Sequence, residues 1–186
     1  MAGGSGAAGG GTGGGAGGTL ILPILETARG VLAAQAIASA SERVAALCFG
    51  AEDFAADIGV RRTTAGTESL FARQAIVLAA KAAGAQALDS VFSDVDDLEG
   101  FAAYCAASRG MGFDGVGILH PRQIAVAHRA FSPSTEEAEE ARAIVAALAE
   151  AETAGSGVAS LNGKMIDAPV AARARRILAS AEARGD

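Results

Sequence analysis

Apolar and polar positions take two alternating forms along residues 20–132. Short apolar runs at residues 20–25, 44–49, 87–92 and 115–119 are each followed by a longer, alanine-rich segment of helical spacing. Those segments cover about residues 29–40, 67–83, 98–108 and 121–130, and they hold Ala and straight-chain residues that favour helix. Strand and helix in alternation is the signature of βα units on a parallel sheet, so four such units are predicted. A different pattern starts at Pro133. Ser134 with Glu137 three residues on predicts a capping box opening a helix to about Thr153. Residues 155–167 form a glycine-broken loop or hairpin around Asn162-Gly163, and residues 168–183 a closing helix with Arg along one side.

Residues 2–18 are almost wholly Gly and Ala and hold 11 of the 25 glycines. With no side chains to bury, residues 1–19 are expected to form a disordered tail. A phosphate-cradling glycine loop would need a strand before it and a helix after it, whereas a strand follows here. The expected organisation is therefore a tail at 1–19, four βα units at 20–132 and a helical lid segment at 133–186. Closure of an α/β barrel takes eight strands in about 250 residues. The fold class expected is α/β, with half of a TIM-type (β/α)8 barrel, the remainder coming from another chain, a second copy or a longer gene product.

Composition narrows the function. With 51% apolar and 19% charged residues the chain is of globular type. A net charge of -6 and the lack of a basic run argue against a nucleic-acid surface. Cys48 and Cys105 lie in apolar segments without metal or disulfide spacing and read as core. No apolar stretch is long enough to span a bilayer and no signal peptide is legible, so a reducing cytoplasm and no membrane partner are expected.

Active sites of parallel α/β barrels gather where strands end. The residues there are Glu26 after the first run, Glu52, Asp53 and Asp57 after the second, Asp94, Asp96 and Asp97 after the third, and His120-Pro121 after the fourth. Glu26 and Asp53 stand at adjacent strand exits, where two carboxylates can share one cation whose other positions go to water and substrate. That donor set suits Mg2+ rather than Zn2+, which would call for His or Cys. The competing reading is that both acids are helix N-caps. Asp57 is expected to order the loop after Asp53, and the three later aspartates to cap the next helix. His120 before a Pro reads as a local hydrogen-bonding residue, and Arg61 and Arg62 as a solvated pair.

Four phrases carry a resemblance: Leu-Pro-Ile-Leu-Glu-Thr-Ala-Arg-Gly at 22–30, Phe-Gly-Ala-Glu-Asp-Phe-Ala-Ala-Asp-Ile-Gly at 49–59, His-Pro-Arg-Gln-Ile at 120–124 and Gly-Lys-Met-Ile-Asp at 163–167. In this order they resemble the citrate lyase beta subunit and malyl-CoA lyase family of HpcH/HpaI-type aldolases, over residues 20–186. The resemblance implies the C-terminal half of the barrel and a Mg2+-dependent carbon-carbon lyase. Its substrates would be CoA or acyl-carrier-protein thioesters of hydroxy acids such as malate or citrate.

Glu26 and Asp53 match the family's two metal-ligand positions. Asp167 matches an aspartate that reaches a neighbouring subunit's site as acid or base, which implies a homo-oligomer. His120 matches a motif near the thioester carrier, and Glu52 is left to outer hydrogen bonding or solvent. Val116 departs from the pattern, standing where a Lys is common. The family's earlier strands, with an arginine for the substrate carboxylate and an acidic stretch near the metal, have no counterpart here, so the isolated chain is expected to be less active than its relatives or inactive. A malyl-CoA thioesterase and a non-catalytic half-barrel fragment or interaction subunit are the alternatives.

Overall fold

The computed structural model describes residues 18–182. The expected disordered tail lies outside the described residues up to position 17. At its end, the Thr19 carbonyl accepts a hydrogen bond from Arg43 Nε at 2.7 Å.

Each apolar run forms a strand shorter than the run itself: β1 (Ile24–Leu25), β2 (Ala46–Phe49), β3 (Gln86–Asp89) and β4 (Gly115–Val116). They pair in chain order and all in parallel. A single bridge between Ile21 and Val44 extends the β1–β2 contact. The ends of the third and fourth runs, Ser90 to Phe92 and Gly117 to Leu119, leave the ladder and become the loops at the sheet's mouth.

The helical segments are modified in three places. The first is split into α1 (Ala28–Leu32) and α2 (Ala34–Ala38), with the break at Ala33. An unpredicted helix, α3 (Ala51–Asp57), follows β2 directly. Four of its seven residues are Ala or Glu, which favour helix, and Glu52 and Asp53 lie in the first turn, where the helix dipole favours acids. At seven residues it is too short to show a period. The third segment runs on as α5 (Leu98–Met111) until Gly112, whose φ of +100° ends it. α4 (Leu70–Ala82) and α6 (Ile124–Phe131) follow short 3₁₀ turns at Thr67–Ser69 and Pro121–Gln123.

Beyond Pro133, α7 (Thr135–Thr153) opens on the predicted capping box. Ser134 Oγ accepts from the Glu137 amide at 3.1 Å, and the Glu137 carboxylate accepts from the Ser134 amide at 2.8 Å. The antiparallel hairpin β5 (Ala159–Leu161) and β6 (Lys164–Ile166) turns through Asn162 and Gly163 at φ of 50° and 75°. This is the pair of positive angles that a two-residue hairpin turn requires. α8 (Ala168–Glu182) packs on α7, and Leu148, Ile166 and Ala171 are buried together beneath the hairpin.

Strand parity divides the sheet into two faces. Leu25, Leu47, Phe49 and Ala87 face the helices and are buried with Val31, Ala34, Ile76 and Val77 in one core. Each large aliphatic side chain so buried contributes about 1.5–3 kcal/mol. The opposite face carries the row Ile24, Cys48, Leu88 and Gly115 in register. Ile24 on it is 61% exposed. Asp89 falls on the helix side, where Arg73 of α4 receives it. The pair is buried, with Nε contacts of 3.1 and 3.2 Å and a closer one through Nη2. Ser108 of α5 donates to the same carboxylate at 2.7 Å, and the guanidinium lies 5.4 Å from the centre of the Tyr104 ring. Burial beside Asp89 raises the Tyr104 phenol well above its ordinary pKa.

Removing one partner of a buried pair leaves the other charged and unsolvated. Asp89→Ala is therefore expected to lower the unfolding free energy by about 3–5 kcal/mol in urea melts. Arg122→Ala, which breaks an exposed pair with Asp96, should change it by less than about 1 kcal/mol.

Candidate functional site

The β1–β2 register sets Leu25 beside Phe49, so the next residues, Glu26 and Gly50, leave the sheet side by side. Gly50 is there for space. Its φ of -104° suits any residue, but a Cβ would lie 2.7 Å from Glu26 Cβ and 3.0 Å from Oε2. Glu26 thus lies half-buried against the bare backbone at the start of α3, while Asp53 is exposed in that helix's first turn.

Neither acid is a helix cap. Thr27 caps α1, its Oγ1 accepting from the Gly30 amide at 3.0 Å, and Gly50 occupies the cap position of α3 without a side chain. Among the described residues neither the Glu26 nor the Asp53 carboxylate accepts a hydrogen bond or pairs with a cation. Two uncommitted carboxylates at adjacent strand exits fit a hard divalent cation that retains several waters. Among the described residues, no group of three or more His, Cys, Asp and Glu converges as a closed metal cage would require.

Hydrogen bonds tie the surrounding loops together. The Ala51 amide donates to Ser90 Oγ at 3.1 Å, joining the start of α3 to the end of β3. Asp57, expected to order the loop after Asp53, reaches back instead, accepting from the Ala28 amide at 2.8 Å beside the Glu26 loop. Glu52 meets Arg62 at 3.7 Å, and Arg62 also donates to the Val91 carbonyl at 3.0 Å, so Arg62 is anchored at the mouth rather than simply solvated. Asp97 caps α5 as expected, accepting from the Gly100 amide at 2.8 Å. Asp94 orders the turn before it through the amides of Asp96 and Asp97, and Asp96 pairs with Arg122.

His120 caps the turn after β4, its Nδ1 accepting from the Arg122 amide at 3.2 Å. In the neutral ring this leaves the proton on Nε2. Gln123, in the same His-Pro-Arg-Gln-Ile phrase as His120, is fully buried and has a role that the phrase alone does not show. Its Oε1 accepts from the amides of Leu119 and His120, and its Nε2 donates to the Phe92 carbonyl at 3.1 Å. It therefore locks the β4 exit to the β3 exit, and its position three residues after the cap was the available signal.

Asp167 stands apart from these residues in sequence and in its packing. It precedes α8 in the unit formed by α7, the hairpin and α8, and its Oδ1 accepts from the Val170 amide at 3.1 Å. The cysteines are poorly disposed to act as nucleophiles, since burial pushes the Cys48 thiol up and that of Cys105 to about 11. Among the described residues no helix is long and apolar enough to cross a membrane.

Comparison with known proteins covers most of this architecture. The citrate lyase subunit beta of Haemophilus influenzae is 43% identical over 88% of this chain and 56% of its own length. The human mitochondrial citramalyl-CoA lyase is 37% identical over 83% of this chain and 48% of its own. The chain thus spans about half the length of the curated relatives it matches. The crystal structure of the protein CitE from Mycobacterium tuberculosis, in complex with magnesium, acetoacetate and coenzyme A, superposes with a TM-score of 0.77. The match has 34% identity and covers 88% of this chain and 61% of that one. Residues 7–121 match the model of the HpcH/HpaI aldolase/citrate lyase family. The chain belongs to that family.

Proposed function

We propose that this chain supplies the metal-holding strand exits of a Mg2+-dependent carbon-carbon lyase. Its substrate would be a 3-hydroxyacyl thioester such as malyl-CoA or a citryl thioester of CoA or acyl-carrier protein, cleaved to an acetyl thioester and a keto acid. The observation that carries this reading is the pair of carboxylates, Glu26 and Asp53, left free of caps and ion pairs at neighbouring strand exits. Similarity to a magnesium- and coenzyme A-bound protein supports the same chemistry.

Glu26 and Asp53 would hold the cation. When bound, Mg2+ supplies Lewis acidity to the oxygen that becomes the carbonyl of the keto acid. In the cleavage direction the substrate hydroxyl would give its proton to solvent water, the carbon-carbon bond would break, and its electron pair would pass into the thioester enolate. Asp167 of a neighbouring copy would give a proton to that thioester carbon, and as carboxylate would remove it in the synthetic direction. Its hydrogen bond to Val170 uses Oδ1. His120 would line the carrier end of the site, with its Nε2 proton as a donor. This assignment makes the working unit a homo-oligomer.

A second reading, an interaction subunit, is favoured by the exposed apolar residues Leu20, Leu22 and Ile24 along the β1 edge, since an unpaired edge invites another strand. A thioesterase would use the same residues and differ in its products.

The decisive assay is Mg2+-dependent cleavage of malyl-CoA and citryl-CoA, with acetyl-CoA, free CoA and keto acid measured separately. A lyase gives acetyl-CoA with keto acid, a thioesterase gives free CoA, and a folded chain without turnover favours the interaction subunit. Asp53→Asn is expected to abolish Mg2+-dependent cleavage while circular dichroism shows an unchanged fold. Undiminished turnover in that variant would refute the assignment. Gly50→Ala should displace Glu26 and weaken Mg2+ binding by at least about tenfold in calorimetric titration.

A further inference from the structure

Helix α3 carries Asp53 and is packed into the core through Ala51, Phe54 and Ala55, which leaves its two ends to be fixed by hydrogen bonds. It is seven residues long, far below the length at which an isolated helix is stable in water. Its cap residue, Gly50, has no side chain, because Glu26 fills the space where one would lie. Satisfying the first helical amide therefore falls to another element. Ser90, buried at the exit of β3, does so by accepting from Ala51 at 3.1 Å. Ser90 is itself held, since its amide donates at 2.9 Å to Asp89 Oδ1, the carboxylate fixed by Arg73 and Ser108.

The other end of α3 is tied in the opposite direction. Asp57, its last residue, accepts from the Ala28 amide at 2.8 Å. Ala28 lies two residues beyond Glu26, where α1 begins. One short helix is thus pinned at its start to β3 and at its end to the loop that carries the other acid.

We infer that Ser90 and Asp57 are positioning residues that fix Asp53 relative to Glu26 and so set the affinity of the pair for a divalent cation. This rests on the reading that Glu26 and Asp53 hold Mg2+. Neither Ser90 nor Asp57 has to touch the ion. Ser90 acts through the Ala51 amide, two residues before Asp53, and Asp57 through the Ala28 amide.

The test is Mg2+ affinity by calorimetry, repeated with Mn2+ by paramagnetic resonance, on the full 186-residue chain, together with amide hydrogen exchange at Ala28 and Ala51. Ser90→Ala and Asp57→Ala should each weaken binding by about tenfold or more, the usual scale for residues that orient metal ligands. Exchange at Ala51 should rise in the first variant and at Ala28 in the second. Ser90→Thr and Asp57→Asn keep an acceptor oxygen and should restore affinity to within about threefold of wild type, an outcome that lost folding or lost charge alone would not give.

Wild-type affinity in both alanine variants, alongside its loss in Asp53→Asn, overturns the inference and leaves the metal reading intact. Unchanged affinity in Asp53→Asn, or no binding by the wild-type chain, overturns the metal reading and this inference with it. Should an alanine variant fail to fold, its conservative partner decides: affinity reduced tenfold in Ser90→Thr or Asp57→Asn, despite protected amides, also overturns it.

Discussion

The parallel pairing of β1 with β2, in the register that sets Leu25 beside Phe49, is the constraint on which the site rests. Side chains alternate across a strand, so a slip of one residue would turn Leu25 away from the helices and Ile24 toward them. The core opposes that slip, because Leu25 and Phe49 are both buried with Val31 and Phe54. Apolar packing of the last residue of each strand thereby decides which backbone Glu26 meets on leaving the sheet. Gly50 then completes the arrangement by offering no side chain at the point of contact.

The buried Arg73–Asp89 pair extends this control to the third strand. Pairs of this kind add little net stability over a well-packed apolar alternative, because both ions lose their water. Their effect is on geometry. Asp89 accepts from Arg73, Ser108 and the Ser90 amide, so one carboxylate joins α4, α5 and the exit of β3. Gln123 acts in a similar way between the exits of β3 and β4. The loops at the mouth are linked to one another as well as to their own strands.

Much of the fold was legible in the sequence because it depends on local pattern. Four apolar runs followed by Ala-rich segments gave the order of strands, and Ser134 with Glu137 gave the start of α7. Strand lengths were overestimated, because an apolar loop at a sheet's mouth has the same composition as the strand it leaves. α3 was missed because seven residues contain barely two turns. For the candidate site, Glu26 and Asp53 were found as acids after apolar runs, and whether they were caps could be answered only by seeing Thr27 and Gly50 in those positions. Ser90, Arg73 and the reach of Asp57 carried no sequence signal, since each acts on a residue at least sixteen positions away.

The division of labour at the first two strand exits has an evolutionary consequence. Capping is done by Thr27 and Ser90, and packing by Leu25, Phe49 and Phe54, so among the described residues the Glu26 and Asp53 carboxylates carry none of the fold's hydrogen bonds or ion pairs. Selection on the reaction and selection on stability therefore act on separate residues. A lineage can exchange either acid, and with it the chemistry, while inheriting the same folded scaffold.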